Sequence, residues 1–76
     1  MKKADFLVEL EDVLQREEAC NEVDVLADYE EWDSLSKMAT MAYFDKTFGV
    51  KITLAQLKEI EKVSDLIALA ADKIEE

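Results

Sequence analysis

The chain contains no histidine and no proline, one glycine, one cysteine, and no long apolar run. Each shortage excludes a class of structure or chemistry. Without an imidazole to accept its proton, no serine here can act as the nucleophile of a self-sufficient catalytic triad. Zinc would find only Cys20 among its usual nitrogen and sulfur ligands. A lone cysteine cannot close an internal disulfide, and Asp5 interrupts any apolar stretch after Met1-Lys2-Lys3, so the expected setting is reducing and cytoplasmic, with no secretory signal. The longest apolar stretch, Leu66-Ile67-Ala68-Leu69-Ala70-Ala71, is far below the ~20 residues a membrane-spanning helix needs. With no proline and only Gly49, there is little chemistry for tight hairpin turns. These shortages point to an all-α fold.

What is present narrows the reading further. Seventy-six residues suit one domain, 1–76, with one small core and no room for a large catalytic cleft, so a non-enzymatic binding or carrier module is expected. Half the residues are hydrophobic and 37% are charged, the balance of a soluble globular domain and not of a disordered acidic tail. The net charge of −10 argues against nucleic acid as a partner and favours basic proteins. That charge is uneven: residues 1–33 carry −9 and residues 34–76 carry −1.

Hydrophobic periodicity divides the chain into four helices. Phe6, Leu7, Leu10, Val13 and Leu14 form one stripe of a first helix from about Ala4 to Arg16. From Glu17 to Asp33 the period weakens, which predicts a long loop anchored by Val23, Val25, Leu26, Tyr29 and Trp32. Leu35, Met38, Met41, Phe44 and Phe48 mark a second helix that ends at Gly49. Thr53-Leu54-Ala55-Gln56 fits a capping box opening a short third helix that runs to about Glu61, and Ser64 is the expected cap of a fourth running to about Glu75. A weak β pattern at Val50 to Thr53 has no partner strand. The expected architecture is a four-helix bundle with a long loop after the first helix and a short third helix.

Asp33-Ser34-Leu35 stands where the loop meets the second helix. Asp33 is a good N-cap, so the Ser34 hydroxyl should project from the first helical turn, where the helix dipole favours an attached phosphate. Because the chain holds no base to activate it, Ser34 reads as a residue to be modified and not as a catalyst. The carboxylates Asp24, Asp28, Glu30, Glu31 and Asp33 fail the EF-hand spacing: a loop begun at Asp24 would need glycine at Tyr29 and an acid at Leu35. No dedicated metal site is expected.

Together, the long first helix, the long loop, Asp33-Ser34-Leu35 opening a second helix, and two closing helices resemble the acyl carrier protein family over nearly the whole chain. Phe44 to Phe48, Val50 to Ile52 and Lys62-Val63-Ser64-Asp65-Leu66 also look like family counterparts. The resemblance implies that a phosphopantetheinyl transferase attaches 4′-phosphopantetheine from coenzyme A to Ser34, with Asp33 and Leu35 helping it recognise the site. It implies further that acyl groups ride as thioesters on the arm and are presented, by a monomer, to acyl-loading and acyl-processing enzymes with basic docking surfaces. Met38, Met41, Phe44, Leu57, Ile60 and Leu66 then read either as ordinary core or as a core that opens for cargo. Cys20, with no basic neighbour in an acidic stretch, does not read as the acyl thiol.

Two departures from the family pattern stand out. Many members have glycine two positions before the aspartate, where this chain has Glu31, followed by Trp32. Many bacterial members also carry several carboxylates on the second helix, where this chain has Ser36, Lys37, Ala39 and Thr40. Docking is therefore expected to lean on Asp28, Glu30 and Glu31, in a specialised lipid or secondary pathway and not in general fatty-acid synthesis. Two alternatives remain open: a carrier of aminoacyl or peptidyl groups, and an unmodified acidic adaptor that binds basic partners.

Overall fold

The computed structural model describes residues 1–75, in which four α-helices and one short 3-10 turn pack around a single core. Helix α1 spans Lys3–Leu14 and buries Phe6, Leu10 and Leu14 on one stripe. It stops two residues before the sequence predicts, because Gln15 adopts the left-handed conformation (φ 55°, ψ 42°). The Gln15 N–H then donates to the Asp12 carbonyl at 3.1 Å and the Arg16 N–H to the Glu11 carbonyl at 2.8 Å. That closure satisfies the terminal carbonyls and turns Arg16 out of the helix.

The connection from 15 to 33 is a long loop, as expected, interrupted by the 3-10 turn Leu26–Asp28. Its anchors differ in part from the predicted set. Leu26 and Tyr29 are buried, Val25 and Trp32 are half-buried, but Val23 is exposed, and Cys20 takes its place among the buried side chains. The loop's backbone is tied to the far side of the fold: Leu26 N–H donates to Glu61 O at 2.8 Å, Val63 N–H to Asp24 O at 3.0 Å and Ser64 N–H to Glu22 O at 2.9 Å.

Helix α2, Ser34–Phe48, begins at Asp33 and ends at Gly49, whose φ of 68° is the left-handed conformation that glycine adopts without steric cost. Helix α3, Leu54–Glu59, opens on the capping box: Thr53 N–H donates to Gln56 Oε1 at 2.8 Å and Gln56 N–H to Thr53 Oγ1 at 3.2 Å. The segment from Val50 to Thr53 forms no strand, and Ile52 is buried from it as a plug.

Helix α4, Val63–Leu69, departs from expectation at both ends. Ser64 lies inside the helix and does not cap it. The N-terminal donors go to Asp65, whose Oδ2 accepts from Glu61 N–H at 2.9 Å and Lys62 N–H at 3.0 Å. The helix also ends well short of Glu75. Beyond Ala70 (φ −128°, ψ 38°) the chain turns so that Glu75 pairs with the start of the molecule, its N–H donating to Met1 O at 2.6 Å and its carbonyl accepting from Lys3 N–H at 2.5 Å. Those bonds replace the helical ones the periodicity implied, and Ile74 is buried from the turn instead of from a helix face.

The core is densest between α1 and α2. Phe6, Tyr43, Phe44 and Phe48 place their ring centroids 5.3 to 6.2 Å apart, with Phe44 set edge-on to Phe6, Tyr43 and Phe48. Phe6 and Phe44, fully buried, each contribute about 1.5–3 kcal/mol by removal from water, while Tyr43 and Phe48 are partly buried against them. The Tyr43 hydroxyl donates to Glu9 Oε1 at 2.7 Å, which fixes the two helices in register. Among the described residues there is no strand, and no helix is long and apolar enough to cross a membrane.

Candidate functional site

Ser34 is the first residue of α2 and is exposed. Asp33 lies in the extended region (φ −119°, ψ −173°) and its Oδ1 accepts from Ser36 N–H at 2.9 Å, the interaction of an N-cap. That bond holds the Asp33 carboxyl below the ordinary carboxylate range, so the group is ionised at neutral pH. The Ser36 hydroxyl donates back to the Glu31 carbonyl, which also accepts from Asp33 N–H at 2.9 Å. Ser34 therefore sits on a turn closed from both sides.

From Leu35 onward, an apolar stripe borders Ser34. Leu35 is 78% exposed and Met38 is 65% exposed, and Ala39 and Ala42 continue the exposed stripe. Met38 thus faces solvent and is not part of the interior, whereas Phe44, Leu57 and Leu66 are buried and Met41 and Ile60 half-buried. Two depressions flank the start of α2. A groove of about 280 Å³ toward α1 is lined by Val13, Leu14, Gln15, Leu35, Ser36 and Ala39. On the opposite side, a cleft of about 300 Å³ is lined by Val25, Leu26, Trp32, Lys37, Leu57 and Ile60, among others. The Lys37 ammonium stands 5.9 Å from the centre of the Trp32 ring.

Of the three carboxylates singled out for docking, two are exposed and one is held by an ion pair. Asp28 and Glu30 are exposed, but Glu31 Oε1 accepts from Arg16 Nη1 at 2.8 Å. Glu31 is held below the usual carboxylate range by a backbone N–H and then by Arg16. Arg16 is the only arginine in the chain; its side chain is 12% exposed and its guanidinium carbon lies 3.8 Å from the centre of the Tyr29 ring. Tyr29 in turn donates to Asp24 Oδ2 at 2.7 Å, which lowers the Asp24 pKa, while burial and that same bond push the Tyr29 phenol far above its ordinary value. The periodicity places Arg16 in the last turn of the first helix, and nothing in it points to this link. The available signal was a solitary arginine directly before a run of carboxylates.

Cys20 lies beneath this network, 3% exposed, and burial pushes its thiol up. It is therefore protonated at neutral pH. Among the described residues no group of three or more acidic, cysteine or histidine side chains is arranged to hold a metal ion.

No family model, curated protein or solved structure matches the chain. The site must therefore be read from its own chemistry: an exposed hydroxyl on a capped helix start, bordered by an exposed apolar stripe.

Proposed function

We propose that this protein is an acyl carrier whose Ser34 bears a 4′-phosphopantetheine arm. The observation that carries the reading is the presentation of Ser34: exposed, at the first turn of a fifteen-residue helix, on a turn fixed by Asp33, and beside Leu35 and Met38. In loading, the Ser34 oxygen bonds to the pantetheine-side phosphorus of coenzyme A, the pyrophosphate linkage breaks, and adenosine 3′,5′-bisphosphate leaves. The hydroxyl proton goes to a base of the transferase, since this chain supplies no imidazole.

The residues present fit the group. The positive end of the α2 dipole favours the phosphodiester, and Lys37, three residues on, adds a positive charge on the same end of the helix. Asp33 is already committed to Ser36 N–H, so its part is to cap the helix and not to hold the phosphate. The arm supplies a terminal thiol on which acyl groups travel as thioesters, a role the buried Cys20 cannot fill. Exposed Leu35 and Met38 offer partner enzymes an apolar landing next to the arm, with Asp28 and Glu30 available to steer basic surfaces toward it.

Incubation with coenzyme A and a broad-specificity phosphopantetheinyl transferase, read by intact mass, tests the proposal. Wild type should gain one phosphopantetheinyl group, and Ser34→Ala should keep the same helical spectrum and gain none. Uptake by Ser34→Ala would refute Ser34 as the attachment point, and no uptake by wild type would refute the carrier reading and favour the unmodified acidic adaptor.

A further inference from the structure

Glu31 holds the Ser34 turn at two points. Its carbonyl accepts from Asp33 N–H at 2.9 Å and from the Ser36 hydroxyl, so residues 31–36 close on themselves around Ser34. Its carboxylate is gripped by Arg16 at 2.8 Å, fifteen residues away in sequence. Arg16 is itself well supported: it leaves α1 through the left-handed Gln15, stacks on Tyr29, and Tyr29 is bonded to Asp24. Its Nε is buried with no hydrogen-bond partner among the described residues, a desolvation cost retained in this arrangement. An exposed ion pair adds little to stability, but this pair is mostly shielded and joins the end of α1 to the peptide group that orients the start of α2.

We infer that Arg16, acting through Glu31, is a positioning residue for the modification of Ser34. The inference rests on the reading of Ser34 as the attachment point. The partners of Arg16 are Glu31, Glu18 and Tyr29, none of them in the stripe of Leu35 and Met38, so releasing Arg16 loosens the turn while leaving the landing surface in place. The hydroxyl is then presented in many orientations, of which few are productive.

The test compares wild type with Arg16→Met, which keeps the apolar stem and removes the charge, and Arg16→Lys, which keeps the charge and removes the fork. Loading by the transferase is followed by mass under varied carrier concentration, and amide hydrogen exchange is measured on the same unloaded proteins. In Arg16→Met, kcat for loading should fall about tenfold with KM for the carrier within about twofold of wild type. Arg16→Lys should recover part of the loss. Exchange at Trp32, Asp33 and Ser36 should quicken while that of Phe44 stays as in wild type. Wild-type kcat and KM in Arg16→Met overturn the inference whatever the exchange shows, and so does a change confined to KM. If Arg16→Met does not fold, Arg16→Lys decides by the same kinetic criterion. Failure of both to fold overturns it too, because the pair would then be a requirement of the whole fold. If wild type itself takes up no arm, the attachment reading fails and the exchange comparison alone judges the link between Arg16 and the turn: unchanged rates at 31–36 refute it, quickened rates support it.

Discussion

The interface of α1 with α2 and the loop from 15 to 33 are held by different physics. In the first, four aromatic rings interlock and the polar ties, such as Tyr43 to Glu9, lie at the margin. In the second, three buried anchors, Cys20, Leu26 and Tyr29, are supplemented by a polar chain running from Asp24 through Tyr29 and Arg16 to Glu31. Apolar burial is indifferent to pH and tolerates no loss of volume. A charged network tolerates small changes of volume and depends on every proton. The helix interface should therefore set whether the protein folds, and the loop should set how the Ser34 turn is held.

Removing Phe44 should break the first region most severely. It is fully buried and central to the ring cluster, and Phe→Ala at such a site costs about 3–5 kcal/mol. A domain of this size has a total stability of only about 4–11 kcal/mol, so Phe44→Ala should lose most of its cooperative thermal transition. A melt within about 5 °C of wild type would show that the cluster is dispensable.

Acid should strike the second region. In the loop, Asp24, Glu31 and Asp33 have pKa values lowered in the fold, Asp24 chiefly by the Tyr29 hydroxyl and Glu31 and Asp33 chiefly by backbone N–H groups; outside it, at the start of α4, Asp65 is lowered by the N–H groups of Lys62 and Glu61. A depressed carboxylate contributes stability that is fully present above its unfolded value, near 4, and is lost as pH falls through its folded value. Tyr29 and Tyr43 act in the opposite direction. Burial first, then the carboxylates of Asp24 and Glu9, raise their phenol pKa values, so their contribution is complete below about pH 10 and is lost above it. Melting temperature should be level near neutrality and fall on both sides. A midpoint that rises between pH 5 and pH 3 would contradict the acid limb.

The same contrast explains what the sequence makes legible. Asp33, Gly49 and the Thr53 to Gln56 box act within one helical turn, so residue type and spacing suffice to place α2 and α3. The stripe of Phe6, Leu10 and Leu14 is legible for the same reason. Arg16 and Glu31 are fifteen residues apart in a stretch without period, and no local rule pairs them. The end of α4 is not legible because Ile74 keeps the helical spacing but reaches the core from a turn held by Met1 and Lys3, bonds made across the whole length of the chain. At the candidate site, Ser34 and its cap were legible, and the grip on Glu31 was not.

A smaller change sharpens the distinction inside the loop. Tyr29→Phe keeps the ring beneath Arg16 and deletes only the donor to Asp24. One hydrogen bond to a partly solvated carboxylate is lost, so the melting temperature should drop by about 5 °C, with the transition still cooperative. The Asp24 carboxyl, freed of its largest stabilising partner, should titrate at a higher pH when followed by NMR. An unchanged Asp24 titration would mean that Tyr29 contributes packing alone.

The smallest effects should come from the two helix ends, where the same backbone conformation is filled by different residues. Gly49 closes α2 at φ 68° and Gln15 closes α1 at φ 55°. A side chain in the left-handed region is strained by about 1–2 kcal/mol, while glycine loses more freedom on folding, by about 0.5–1 kcal/mol, so the exchange of one for the other nets their difference, about 0.5–1 kcal/mol. Gln15→Gly should therefore raise stability by about 0.5–1 kcal/mol, and Gly49→Ala should lower it by a similar amount, since a Cβ there meets nothing within 4 Å and conformation is the whole cost. Denaturant midpoints at constant slope measure both. Because Gln15 sets the angle at which Arg16 leaves the helix, a destabilised Gln15→Gly would be informative as well: it would show that the glutamine side chain, and not only the backbone turn, aims Arg16 at Glu31.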